Sequence, residues 1–123
     1  MLLLATLFRV GWYIVFREVD ENAITPVQAT EMLDNGALLV DVRQLEEFEE
    51  AHVAGARLIP LGELSDRLSE LQAYRDRPVI VVCRTGGRSA IGSLILMNAG
   101  FTRVHNLEGG MMAWKQAGLS VER

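Results

Sequence analysis

Four consecutive β-branched residues, Val79-Ile80-Val81-Val82, run into the chain's only cysteine, Cys83, and a stretch rich in glycine and arginine follows at once. A run with no polar alternation reads as a strand buried on both faces. The pattern from Ser89 to Ala99 reads as a helix closed by Gly100. A doubly buried strand passing straight into a helix is the repeating unit of a parallel sheet, because each face of the sheet needs a helical cover. The rest of the chain repeats this alternation. Thr25, Pro26 and Gln28 supply an N-cap, a first-turn proline and a capping-box glutamine for a helix ending near Gly36. Ala37 to Asp41 reads as a buried strand, residues 45–50 as a short acidic helix and residues 57–59 as a short strand. Leu61, Leu64, Leu68 and Leu71 mark the apolar stripe of one further helix. A strand at 103–106 and a helix at 110–117 complete the series. The expected fold is α/β, with a mostly parallel central sheet of about five strands and helices on both faces. Ligands of such sheets bind at the carboxyl ends of the strands, which is where Cys83 lies.

The segment Cys83-Arg84-Thr85-Gly86-Gly87-Arg88-Ser89 concentrates the features that activate a thiol. Unpaired N–H groups of a helix's first turn, together with its dipole, stabilise an anion placed at the strand-to-helix turn. Free cysteine has a pKa near ~8.5, which helix N-termini and neighbouring arginines lower. Gly86 and Gly87 carry no Cβ, so the backbone can turn its amides toward a ligand at the sulfur. Cys83 is therefore the candidate nucleophile, and the amides of 84–88 form the candidate anion cradle. Arg84 and Arg88 are the candidate steering charges. Ser89 is expected to be the N-cap of the helix, with a hydrogen bond to the sulfur as its competing role.

These residues resemble the active-site loop of the rhodanese family, sulfurtransferases in which a strand-terminal cysteine carries a persulfide sulfur. The resemblance extends along the chain. Asp41-Val42-Arg43 with Glu46, Glu47 and Phe48 is similar to the family's D-x-R-x-x-x-E-[FY] segment. Ala51-His52-Val53-Ala54-Gly55-Ala56 through Ile59-Pro60 is similar to its G-H-I-x-G-A-x-x-[IL]-P segment, with Ala51 in place of the first glycine. Gly100-Phe101, Val104, Leu107-Glu108-Gly109-Gly110 and Trp114 resemble its closing signature. The resemblance covers about Ile24 to Leu119, and the expected organisation is an apolar extension over 1–19 followed by a rhodanese-like domain over 20–123. It implies catalysis by Cys83, with Arg84, Thr85, Gly86, Gly87, Arg88 and Ser89 around the substrate.

Loop length separates the chemistries that the resemblance allows. Related phosphatases and arsenate reductases place five residues between cysteine and arginine, and here four separate Cys83 from Arg88. The seventh position is the neutral Ser89, so the charge that clamps equatorial oxygens in phosphoryl transfer is missing. Two guanidiniums favour a dianionic donor such as thiosulfate. The expected reaction is two displacements at sulfur, from thiosulfate to Cys83 and then to an acceptor, which is cyanide in the test tube and a thiol such as thioredoxin or glutathione in a cell. A sulfur-carrier or relay module docking to a partner enzyme is the alternative, and a phosphatase-like enzyme ranks third.

Composition narrows the partners. A net charge of -4, with no basic stripe, argues against nucleic acid as a partner. One cysteine excludes an internal disulfide framework and a cysteine-based zinc site. His52 and His105 have no ligand-spaced partners, so neither metal nor cofactor is expected. Asp41 and Arg43 read as structural, with Arg43 expected to pair with Glu46 or Glu49. A carboxylate next to the thiol would raise its pKa and oppose the chemistry.

The apolar residues 1–17 are interrupted by Arg9, too short a run for a spanning helix, and lack the basic start and cleavage site of a secretory signal. Packing on the domain or in a homodimer is the first expectation for them, and peripheral membrane contact with Trp12 and Tyr13 at the headgroups is the second. The expected location is cytoplasmic, with membrane association through this segment as a variant.

Overall fold

The computed structural model describes residues 17–123, and the apolar segment over 1–16, with the expectations placed on it, lies outside the described residues. Residues 17–21 are helical, and Val19 among them is buried. The named elements then run α1 (Pro26–Asp34), β1 (Leu38–Asp41), α2 (Leu45–Glu50), β2 (Arg57–Leu58), α3 (Leu61–Leu64), a 3-10 helix (Leu68–Tyr74), β3 (Val79–Val82), α4 (Gly87–Asn98), β4 (Val104–Asn106) and α5 (Gly110–Gln116).

The sheet is parallel throughout, in the order β2-β1-β3-β4, with Leu38 opposite Val79 and Val79 opposite Val104. Among the described residues it has four strands, against the expected number of about five. Beyond β4 the pairing shrinks to one parallel bridge, in which the Ile24 N–H donates to the Asn106 carbonyl at 2.9 Å and the Glu108 N–H to the Ile24 carbonyl at 2.8 Å. It cannot lengthen into a strand. Thr25 is already the α1 N-cap, with its hydroxyl accepting from the Gln28 N–H at 3.2 Å, and Pro26 has no N–H to give to a ladder.

Strand periodicity divides the core into two layers. Leu38, Val40 and Val42, with Val79, Val81 and Cys83, face one side and pack with Ile59, Leu64, Leu71, Leu96, Phe101 and Val104. Leu39, Ile80 and Val82 face the other side and pack with Ile24, Ala29, Val53, Leu107, Met111 and Trp114. Each fully buried Leu, Ile or Val contributes about 1.5–3 kcal/mol relative to an exposed one. Cys83 therefore leaves β3 on the face that α4 covers.

The single helix expected over 61–71 is divided. The N–H groups of Glu63, Asp66, Arg67 and Glu70 donate to carbonyls three residues back, at Pro60, Glu63, Leu64 and Arg67, so the ladder tightens into 3-10 turns. The leucine stripe survives, because 3-10 geometry superposes residues three apart, and Leu64 and Leu71 are fully buried. Gly62 in the first turn and the four-residue length of α3 leave little helix propensity to resist the change. Among the described residues, no helix is long and apolar enough to cross a membrane.

Candidate active site

The turn from β3 into α4 is built by one backbone reversal. Gly86, at φ 122°, is the N-cap of α4, so the helix begins at Gly87 and includes Ser89, which the sequence reading made the cap. A positive φ is open to glycine and strained for other residues. The carbonyl of Gly86 becomes the helix's first acceptor, taking the Ala90 N–H at 3.1 Å, the Ser89 hydroxyl at 3.1 Å and the Asn106 side-chain amide at 3.4 Å. Helix geometry then leaves the N–H groups of Gly87 and Arg88 without intrahelical acceptors.

Cys83 sits at the centre of this turn, 1% exposed. Its Sγ accepts from the Gly86 N–H at 3.1 Å and lies 3.3 Å from the Ser89 Oγ, with the neutral thiol donating to the hydroxyl. Burial pushes the thiol pKa up. The Ser89 hydroxyl and the backbone N–H groups of Ser89, Gly86 and Thr85 act against burial and prevail, so the pKa lies below the ordinary thiol value. The first-turn amides expected to stabilise the anion do so, behind the Ser89 hydroxyl, and neither arginine is among the chief causes. Ser89 serves the sulfur rather than the cap.

The far side of the loop is fastened by α5. The Met111 N–H donates to the Cys83 carbonyl at 2.9 Å and the Met112 N–H to the Arg84 carbonyl at 3.1 Å. These bonds occupy the first two loop carbonyls. So close an approach requires Gly110, where a Cβ would fall 2.5 Å from the Cys83 carbonyl oxygen and 2.6 Å from Arg84 backbone atoms. The Gly109-Gly110 pair stands in the closing signature, where its sequence neighbours carry no sign that it supports the Cys83 loop.

The two arginines differ sharply. Arg84 is exposed and has no ion-pair partner among the described residues, and Thr85 and Gly87 beside it are also exposed. Arg88 is half-buried and committed, forming a two-pronged pair with Glu47 of α2 at 2.6 and 2.8 Å. The Arg88 guanidinium holds the Glu47 carboxyl at about 2, and Glu47 in turn raises the Arg88 pKa, with a smaller contribution from the Cys83 charge. Glu47 belongs to the motif that begins at Asp41, and nothing in its sequence surroundings announces a partner 41 residues away.

Arg43 does not pair with Glu46 or Glu49. It lies 4% exposed, and its guanidinium grips Asp41 with bonds of 2.8 to 3.1 Å. Two further donations reach the carbonyls of Glu47 at 3.2 Å and Ala51 at 2.7 Å. A buried fork takes the nearest buried acceptors, whereas Glu46 and Glu49 stand in solvent. Both residues are structural, and they lock the turn that presents Glu47. His52 stacks on Phe48 with its Nδ1 2.8 Å from the Phe48 carbonyl oxygen, and the His105 Nδ1 lies 2.9 Å from that of Asn22. Neither forms a hydrogen bond to the loop. Among the described residues, no cluster of His, Cys, Asp and Glu could hold a metal ion.

Known proteins resemble this chain in sequence and fold. The rhodanese-like domain family matches residues 25–117. The chain is 35% identical over 96 residues to the thiosulfate sulfurtransferase GlpE of Stutzerimonas stutzeri, covering 78% of this chain and 86% of that protein. It is 38% identical over 104 residues to a sulfurtransferase of Allochromatium vinosum, covering 85% of this chain and 92% of the relative. Among solved structures, a rhodanese-related protein of Thermoplasma volcanium superposes with a TM-score of 0.75 at 28% identity, over 82% of this chain and 97% of that one.

Proposed function

The chain belongs to the rhodanese-like domain family, and from that premise we propose that it is a sulfurtransferase moving sulfane sulfur from thiosulfate or a similar donor to a thiol acceptor through a persulfide on Cys83. The observation that carries this reading is the fixed set of donors on Cys83, which lowers the thiol pKa in spite of burial. No separate base is required. The Cys83 thiolate attacks the outer sulfur of thiosulfate, a Cys83–sulfur bond forms, and the donor's S–S bond breaks with its electron pair leaving on sulfite. The persulfide's terminal sulfur is then anionic and faces the first-turn N–H groups of α4. An acceptor thiolate attacks that sulfur, taking it as a new persulfide and returning the electron pair to Cys83. Cyanide performs the same displacement and leaves as thiocyanate.

In this reading Arg84 steers the donor, the backbone from Thr85 to Ser89 cradles the transferred sulfur, and the Ser89 hydroxyl turns from accepting the thiol proton to donating to the thiolate. Phosphoryl transfer lacks support at the same position, because the residue after Arg88 is this buried serine and not a cation. Thioredoxin or glutathione supplies the chemistry required of the acceptor. The test is thiocyanate formation from thiosulfate and cyanide, expected in the wild type and abolished in Cys83→Ser. A wild-type protein that forms none overturns the reading.

A further inference from the structure

We propose that Glu47 sets the anion specificity of the Cys83 loop, by cancelling the charge of Arg88 and leaving Arg84 as the loop's uncompensated cation. The inference rests on reading the loop as the sulfur-donor site. Two guanidiniums in a short loop suggest a site for dianions. The 2.6 and 2.8 Å pair between Arg88 and Glu47 removes one of them from that role, with both prongs of the fork spent on a carboxylate already in place.

The pair is held from both ends. Glu47 accepts the Gln44 N–H on its Oε1 at 3.2 Å as the third residue of α2, and its carbonyl accepts from the buried Arg43. Arg88 occupies the second position of α4, next to Ser89 whose hydroxyl reaches Sγ. A charge on Arg88 is therefore a charge at the mouth of the sulfur site, and so is the opposing charge on Glu47. With side chains 36% and 30% exposed, the pair stands at the solvent boundary, where an entering anion meets it. A dianion approaching Arg88 must displace the carboxylate or accept its repulsion. Glu47 thus makes the loop a weaker dianion site than its two arginines imply, and it acts through Arg88 as a specificity-determining residue.

The test uses sulfate, a dianion that donates no sulfur. Alkylation of Cys83 by iodoacetamide, followed by mass spectrometry at constant ionic strength, gives the sulfate concentration that halves the rate. Glu47→Gln keeps an oxygen for the Gln44 N–H while removing the charge, and is expected to lower that concentration about three- to tenfold. In the Arg88→Gln background the same substitution is expected to give a clearly smaller gain, from the lost repulsion alone. Glu47→Asp, which retains the charge, is expected to stay near wild type. Equal half-protection in wild type and Glu47→Gln overturns the proposal, as does no protection in any of the proteins. So does a gain that is equally large without Arg88 or in Glu47→Asp, since the first removes the role of Arg88 and the second points to a loosened loop. Because sulfate is not turned over, this outcome is read separately from the thiocyanate assay, which tests the proposed function on which the inference rests.

Discussion

Gly110 lies directly beneath Cys83: a Cβ on Gly110 would stand 2.5 Å from the Cys83 carbonyl oxygen, and Gly110 itself has φ +58°. The contact lets the start of α5 donate to the Cys83 and Arg84 carbonyls and so aim the loop. Gly110→Ala meets both a left-handed backbone and a backbone clash, and is expected to cost about 2–4 kcal/mol. Urea denaturation reads the loss, and the Cys83 alkylation rate reads the disturbed loop. Gly62→Ala, with nothing within 4 Å of its new Cβ, is the control, expected within about 1 kcal/mol of wild type and in the stabilising direction.

The Ser89 hydroxyl makes the foremost of the contacts that lower the Cys83 pKa. In Ser89→Ala the midpoint of alkylation rate against pH is expected to move up, because desolvation then meets fewer opposing donors. Ser89→Thr keeps the hydroxyl and is expected to shift the midpoint less. A midpoint unchanged by Ser89→Ala would place the control of the thiol in the backbone alone. For stability the sign follows from a lowered folded-state pKa: the thiolate's contribution is present above the unfolded pKa near ~8.5 and is lost as pH falls through the folded value.

Glu47, held at about 2 against its ordinary 4.5, gives the acid counterpart. Its contribution to stability is fully present above about 4.5 and is lost as pH falls through about 2. Solvent screening of a pair about one-third exposed reduces the contribution to roughly 1 kcal/mol. The stability gap between wild type and Glu47→Gln, measured by urea denaturation, is therefore expected to be constant from pH 7 to about 5 and to shrink in stronger acid. A gap that does not narrow toward pH 2 contradicts the assignment of the ion pair as its source.

Arg43 is the most consequential charged residue of the interior. Arg43→Met leaves the fully buried Asp41 carboxylate without its partner and frees the Glu47 and Ala51 carbonyls. The expected cost is about 3–5 kcal/mol, as for other broken buried pairs. Arg43→Lys is not a conservative replacement here, because one ammonium cannot reproduce the fork across three acceptors. Denaturation midpoints of the two variants test the point. Near-wild-type stability in Arg43→Met would contradict it.

Features governed by neighbours in sequence were the legible ones. The uninterrupted apolar run of β3 and the Thr25-Pro26-Gln28 cap act over a few residues and stand where the pattern puts them, whereas the glycine-rich turn after Cys83 passes into its helix two residues earlier than expected, at Gly87. The four-strand sheet and the 3-10 tightening after Leu64 were decided by competition between local bonds, at Thr25 and Pro26 in one case and along residues 63–70 in the other. Polar partners were the least legible. Arg43 turned from the exposed Glu46 and Glu49 to the buried Asp41, and Arg88 found Glu47 across 41 residues. Geometry alone reveals such pairings, because a guanidinium takes the acceptor that folding brings near it.

Mass spectrometry of the protein after treatment with thiosulfate and removal of small molecules tests the central claim most directly. The account predicts that Cys83 gains the mass of one sulfur atom, that a subsequent pulse of cyanide removes it as thiocyanate, and that Cys83→Ser gains nothing. A wild-type protein whose Cys83 stays unmodified, or carries sulfur that cyanide cannot remove, would contradict it.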